Sequence, residues 1–580
     1  MVVPFSRRHV EGPSWARDIP RGFKELTTNW YVYGSKEYSG IKDSAEDKFF
    51  DDDEKLELEA YKNSPNYVKT EEELVEDGQS TLTKKEKRKL ILDMCSASAC
   101  LIGDGYVNNS TGVISSGLKA VYGAQYSNSK AISNISAIVF AGEVFSIMFF
   151  GYFVDIIGRR TVTLIGNVIM CLFSILLAGA WTKGTESKIT ATKYYINEST
   201  GVKYPLASES LWSYICFLRF MVGVGIGSEY PAASSWSADI GKKLKAKDRN
   251  MWFTMFTNTS IDVGFVASAF ITWIVILICG NGNMGTVWRV TVGIGAIIPF
   301  CFFIARFRMK ESENFEKNRF KTKKIPYLLV YKFYWFRILC FGLVWVFYDF
   351  VSYGMSGISS LVLDIVLGDT TDLATVWGWN VLFNVFYLPG TFLGCWAVKY
   401  FGPRWVGSTV WIQAVFGFVM AAKLDVLEKH IAGFTVFYGV FTALGEFSLG
   451  NNLGLICANG FATPVRGSCY LWCAAMGKAA AFGSNYLFPK LIANGGVKAP
   501  FYYAGAMGFA ATAILLFLCP PLDQISQQLE DKRFMEYLQK EGYDVSHMTS
   551  FIVESSGESE LEDSKNNDNL KTYAVEEESI

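Results

Sequence analysis

GYFVDIIGRR, residues 151–160, closes one long apolar run, and a degraded copy, GCWAVKYFGPR, residues 394–404, closes a later one. Each carries glycine, then an acid or a base, then glycine and a basic residue. The glycines let helices approach closely. The charges belong at the membrane surface, because an ionised side chain at the centre of a bilayer is expensive. Two copies one half-chain apart predict a duplicated helical membrane protein. Gly151, Asp155, Gly158, Arg159 and Arg160 are candidate gating residues, with Asp155 clasping the arginines at the interface.

Composition agrees. The 580 residues are 50% hydrophobic and 16% aromatic, and only 19% are charged, below the ~25% of ordinary soluble chains. Apolar runs near 20 residues recur, each long enough to span a bilayer. A soluble multidomain enzyme is excluded, and the net charge of -1 carries no message about nucleic acid. The twelve cysteines form no CxxC pair and no cluster with histidine, so neither a disulfide framework nor a metal site is expected. His9, His430 and His547 are the only histidines and none lies mid-span, so any proton coupling must use carboxylates.

The expected fold is an all-α polytopic membrane protein of twelve transmembrane helices in two six-helix halves. The first six spans fall at about 90–117, 132–155, 161–181, 211–233, 251–280 and 287–307, and the second six at about 337–363, 376–399, 404–424, 432–457, 467–493 and 499–519. The domains are then a polar tail, 1–88, expected to be disordered; a first half, 89–307; a linker, 308–336; a second half, 337–522; and a largely disordered acidic tail, 523–580. No apolar leader opens the chain, so the first span directs insertion. Basic runs at TKKEKRK, Arg159–Arg160, GKKLKAKDR and the linker share one side, which places both termini in the cytoplasm. The lysines of the third-to-fourth loop, 183, 188, 193 and 203, run against this rule. The same loop holds the sequon Asn197-Glu198-Ser199, a candidate glycosylation site.

Parallel six-helix halves suit alternating access around a midplane site. Polar residues inside the spans mark that site. WVFYDFVSYG, residues 345–354, sets Trp345, Asp349 and Tyr353 four residues apart, on one helix face. Asp104 lies in the first span, Glu229 and Tyr230 before Pro231 in the fourth, Asn258 to Asp262 in the fifth, Glu446, Asn451 and Asn452 in the tenth, with Asn452 the candidate for the site, and Lys478 in the eleventh. Pseudo-symmetry pairs the first span with the seventh, the fourth with the tenth and the fifth with the eleventh. Asp104 then matches Asp349, Glu229 matches Glu446, and Asp262 lies level with Lys478. A lone lysine in an apolar cavity is an anion site that needs a counter-charge when empty. A carboxyl group taken out of water holds its proton more readily. Its protonation removes repulsion for an anion, which couples the two ligands. Glu143 stays unassigned, as structural or unknown.

The loop signature resembles that of the major facilitator superfamily. EYP in the fourth span, W-x3-D-x3-Y in the seventh and GK in the eleventh resemble the fungal phosphate:proton symporters. DGYVNNS, IPYLLVYKFYW, FYDFVSYG, GISS and ATPVRG resemble the yeast glycerophosphoinositol permeases more closely, over about residues 88–545. The resemblance implies that Trp345, Asp349, Tyr353, Tyr230 and Lys478 hold the phosphoryl group and that Asp104, Glu229 and Asp349 handle protons. The chain departs from the phosphate symporters at Glu229, Val107 and Asn459. Glu446 stands where both groups of relatives carry asparagine. An added acid disfavours free phosphate and favours a ligand with a cationic arm, so glycerophosphocholine is expected to serve at least as well as glycerophosphoinositol.

The expected function is therefore proton-coupled uptake of glycerophosphodiesters across the plasma membrane, by a monomer without cofactor or metal. The alternatives are an inorganic phosphate symporter and a non-transporting nutrient sensor. No nucleophile–base set supports an enzyme, and the repeated gating signature disfavours a channel.

Overall fold

The computed structural model describes residues 83–543, apart from 99, 187–190, 198–200, 242–243, 245, 308–325, 368–371, 428, 521 and 523. The tail before 83, Glu198 and Ser199 of the sequon, most of the central linker, the tail from 544 and the side chain of Asp155 lie outside the described residues.

The chain is a two-half bundle of long helices. The first span is broken into Lys84–Ser98 and Leu101–Tyr122. The second is Ala131–Ile157, the third Arg159–Ala178, the fourth Glu209–Gly241, the fifth Ala246–Cys279, and the sixth Met284–Gly295 with Ile297–Phe307. The second half runs from the seventh, Tyr327–Leu367, through Leu373–Val385 with Tyr387–Ser408, Val410–Leu427, and the tenth, Ile431–Gly460, to the eleventh, Arg466–Gly495, and the twelfth, Lys498–Phe517. Among the described residues eleven helices are long and apolar enough to cross a membrane by length and composition. Arg466–Gly495 is also long enough at 30 residues, but its glycines, Ser484, Asn485 and Lys478 make it less apolar. In the fourth span the helix continues through Pro231. Gly223 and Gly227 bring it against the backbone of the second span at Val139 and Glu143, and Gly225 meets Met170 of the third.

The two signature copies do the same structural work. Gly158 (φ 105°) ends the second span and Gly402 (φ 78°) breaks the eighth, both in a region that favours glycine. Two residues later, Arg160 donates to the Phe307 carbonyl at 2.5 Å, and Arg404 donates to the Leu515 and Leu516 carbonyls at 3.4 Å each. In each half the arginine thus satisfies carbonyls left open at the end of the sixth or twelfth span. Gly158→Ala and Gly402→Ala should each cost about 1–2 kcal/mol, read as a lower thermal midpoint of the detergent-solubilised protein.

Three expected boundaries are corrected. Thr83 and Glu86 form a reciprocal cap: Glu86 Oε2 accepts from the Thr83 amide at 2.8 Å, and Thr83 Oγ1 accepts from the Glu86 amide at 3.3 Å. The run expected to end the N-terminal tail at 88 therefore opens a helix. The seventh span begins at Tyr327, directly after Pro326, so the end of the expected linker is helical. In the C-terminal tail, Gln524–Lys540 is a helix rather than a disordered stretch. Phe534, Tyr537 and Leu538 recur at helical spacing and are buried, with Phe534 against Phe333 (5.5 Å) and Tyr334 (5.6 Å) of the seventh span. The third-to-fourth loop forms a small hairpin, Tyr194–Ile196 with Lys203–Pro205, and Asn197 stands directly after its first strand.

The halves meet on both sides of a central cavity. At the signature end, Asp248 of the fifth span holds Lys399 of the eighth at 3.0 Å and Lys87 at 2.9 Å. At the other end, Tyr486 donates to Asn134 Oδ1 at 2.8 Å, and Trp273 Nε1 donates to the Ala374 carbonyl at 3.1 Å.

Candidate functional site

The central cavity is partly open to solvent, and its walls come from the first, fourth, fifth, seventh, tenth and eleventh spans. These are the three pseudo-symmetric pairs expected from the polar residues. Tyr230, Trp345, Asp349, Tyr353, Glu446 and Lys478 all line it.

Lys478 is 1% exposed and organises one end. Its ammonium donates to the Tyr353 hydroxyl at 2.6 Å and lies 3.4 Å from Glu143 Oε2 and 3.9 Å from Asp349 Oδ2. It also sits over two rings, 4.0 Å from the centroid of Tyr353 and 4.7 Å from that of Tyr230. A buried ammonium is tolerable only with such partners. Among the residues lining the cavity it is the sole cation. Trp345 fixes its approach, because a side chain at Gly477, next to the lysine, would collide with the indole.

A polar chain leads from Lys478 into the first span. The Asn108 amide donates to Glu143 Oε1 at 3.2 Å and to Asp104 Oδ1 at 2.5 Å. Asp104 Oδ2 in turn accepts from the Tyr230 hydroxyl at 2.5 Å. Glu143 of the first half and Asp349 of the second thereby flank one ammonium, and Asp104 is tied to it through Asn108 and Tyr230.

Glu229 is not part of this cluster. Arg306 of the sixth span donates to both of its oxygens, at 2.6 and 2.7 Å, and both side chains are fully buried. The same guanidinium reaches the Ser96 carbonyl at 3.3 Å and the Ala97 carbonyl at 2.6 Å, where the first span breaks. Asn452, expected in the site, instead donates to the Ser448 carbonyl and is absent from the cavity wall, which Asn451 joins. The reason is a π-helical turn, Glu446–Gly450, which shifts the helical phase beyond it.

The opposite end is acidic. Glu446 accepts from the Tyr348 hydroxyl at 2.6 Å and from the Asn258 amide at 3.1 Å. A side chain at Gly450 would overlap both the Glu446 carboxylate and the Tyr348 hydroxyl, so glycine makes the room they need. Asp262, one turn from Asn258, is 1% exposed and also lines the cavity. Asn108, Tyr348 and Arg306 are the residues that sequence reasoning passed over, and Glu143, left there as structural or unknown, joins the cluster at Lys478. Among the described residues no group of three or more His, Cys, Asp or Glu is arranged to hold a metal ion.

Comparison with known proteins matches residues 94–324 and 350–523 to the model of the sugar (and other) transporter family. A glycerophosphodiester transporter of Candida albicans is 35% identical over 546 residues, covering 92% of this chain and 94% of its own. A glycerophosphocholine permease of the same organism is 35% identical over 485 residues, covering 82% and 86%. Among solved structures, the proton:xylose symporter XylE bound to 6-bromo-6-deoxy-D-glucose superposes with a TM-score of 0.59 at 17% identity, covering 73% of this chain and 95% of its own. That likeness concerns the fold.

Proposed function

Because this chain belongs to the sugar (and other) transporter family, within the major facilitator fold, we propose that it carries glycerophosphodiesters into the cell by proton symport. It acts as a monomer in the plasma membrane with both termini in the cytoplasm, and it catalyses no covalent chemistry. The observation that carries this reading is the buried Lys478, the one cation among the residues lining the central cavity, held by Tyr353, Glu143 and Asp349. Its similarity to a glycerophosphodiester transporter and a glycerophosphocholine permease supports the substrate class.

The steps follow from these contacts. In the empty site two carboxylates neutralise Lys478. A diester phosphate offers the ammonium a better partner, and the Tyr353 hydroxyl, which accepts from Lys478, keeps its own proton to donate to a phosphoryl oxygen. Asp349 and Glu143 then lose their counter-charge and stand beside an anion, so they take up protons. Asn108 and Tyr230 extend this response to Asp104. Glu229, held by Arg306, serves as a fixed clasp. A singly charged anion needs two protons to gain from the membrane potential, worth ~2.3 kcal/mol per charge per 100 mV, whereas a zwitterion needs one.

Uptake of labelled glycerophosphocholine, glycerophosphoinositol and inorganic phosphate at several external pH values tests the reading. Diester uptake should rise as external pH falls and should resist excess phosphate. Uptake of phosphate alone, with diesters failing to compete, would identify a phosphate symporter instead. Asp349→Asn should abolish accumulation against a gradient and flatten the pH profile, while substrate exchange persists; normal accumulation in this variant would remove Asp349 from the proton path.

A further inference from the structure

The part of the cavity lined by Glu446 and Asp262 offers a phosphate no cation, and its chemistry suits a different group. Among the described residues neither Glu446 nor Asp262 has a basic side chain within ion-pair distance. Glu446 is held in place by Tyr348 and Asn258. Asp262 is 1% exposed, and its Oδ2 has no hydrogen-bond partner although the residue lines the cavity. Two acids buried without a cation must either carry protons or take a cation from the ligand or from solvent.

The surrounding side chains decide which. Tyr348 stands beside Glu446, and Phe265, also in the wall, packs on Tyr353 (6.5 Å) and Tyr387 (5.5 Å). Acids among aromatic faces suit a quaternary ammonium, which is bulky, weakly hydrated and donates no hydrogen bonds. An inositol ring would instead seek neutral hydroxyl partners. Tyr348 and Asp349 are consecutive on one helix, so their side chains diverge by about 100°. Tyr348 reaches Glu446 and Asp349 reaches toward Lys478. One turn of the seventh span therefore serves both ends.

We propose that Asp262, Glu446, Tyr348 and Phe265 form a headgroup subsite for a quaternary ammonium, which makes the chain selective for choline diesters over inositol diesters. This rests on the glycerophosphodiester reading above. A zwitterionic substrate then lies along the cavity, phosphate at Lys478 and trimethylammonium at Glu446, each charge opposite its complement.

The test is uptake of labelled glycerophosphocholine and glycerophosphoinositol by the full chain in cells lacking other diester carriers. Wild type should favour the choline diester. In Glu446→Gln and in Asp262→Asn the ratio of choline-diester to inositol-diester uptake should fall about tenfold or more. Free choline at millimolar concentration should compete with the choline diester in wild type and lose that effect in Glu446→Gln. If a variant fails to reach the membrane, Tyr348→Phe, which keeps the ring but frees Glu446, should shift the ratio in the same direction. An unchanged ratio in the variants that reach the membrane, or a wild type that prefers the inositol diester, overturns the subsite and leaves the transporter reading standing. A wild type that moves neither diester overturns the transporter reading itself.

Discussion

Lys478→Met will abolish diester uptake, with a loss on the order of 100-fold or more. The ammonium is buried in a cavity that otherwise presents carboxylates. Removing one member of a buried, hydrogen-bonded charge cluster costs about 3–5 kcal/mol, because the remaining charges are stranded. Part of that cost falls on folding, so a second variant separates the effects. Lys478→Met combined with Glu143→Gln removes the cation and its nearest acid together, Glu143 Oε2 lying 3.4 Å away. Membrane protein levels should recover in the double variant and uptake should not. Recovery of uptake would show that the lysine serves the fold rather than the anion.

The second large effect concerns Arg306. Arg306→Ala leaves Glu229 as an unpaired buried carboxylate and uncaps the Ser96 and Ala97 carbonyls. A loss of about 3–5 kcal/mol is expected, enough to remove most folded protein from the membrane. Arg306→Met with Glu229→Leu replaces the pair by apolar groups of similar volume, which is often neutral or stabilising. The double variant should fold and keep proton-coupled uptake, measured as pH-dependent accumulation. A double variant that folds well but transports without pH dependence would restore Glu229 to the proton path.

Much of the site is legible in the sequence because charge inside a membrane is costly. Asp104, Asp349 and Lys478 stand out by that cost alone, and the duplicated glycine signature supplies the symmetry that brings them together. What was missed has physical causes. Glu143 is left without a role in the sequence, yet it lies near the midpoint of Ala131–Ile157 rather than at the outer end of that span. Its partners, Lys478 and Asn108, lie on other helices. Arg306 sits at the end of a span beside a basic linker, where a topology reading counts it as a surface charge. Only packing reveals that it is buried against Glu229. Asn451 and Asn452 are adjacent and alike in the sequence, and the π-turn at Glu446–Gly450, which the sequence does not show, decides which of them faces the cavity. The helix Gln524–Lys540 was concealed by its charge; among its described residues Phe534 and Tyr537 pack on Phe333 of the seventh span, and Glu530 pairs with Arg337.

The eleventh span has a consequence for how the chain is made. Arg466–Gly495 is the span that falls outside the set of helices apolar enough to cross a membrane, and it carries the buried lysine near its middle. At the translocon such a residue opposes partitioning by about 2.5–3.5 kcal/mol. The segment must therefore enter the bilayer against neighbours already in place: the seventh span, and the second span with Glu143. A second half synthesised alone would lack that acid. Co-synthesis of the first half should rescue its integration, and Glu143→Gln in that first half should weaken the rescue. The ion pair proposed to neutralise Lys478 in the empty mature carrier then also acts as an assembly checkpoint in the nascent one.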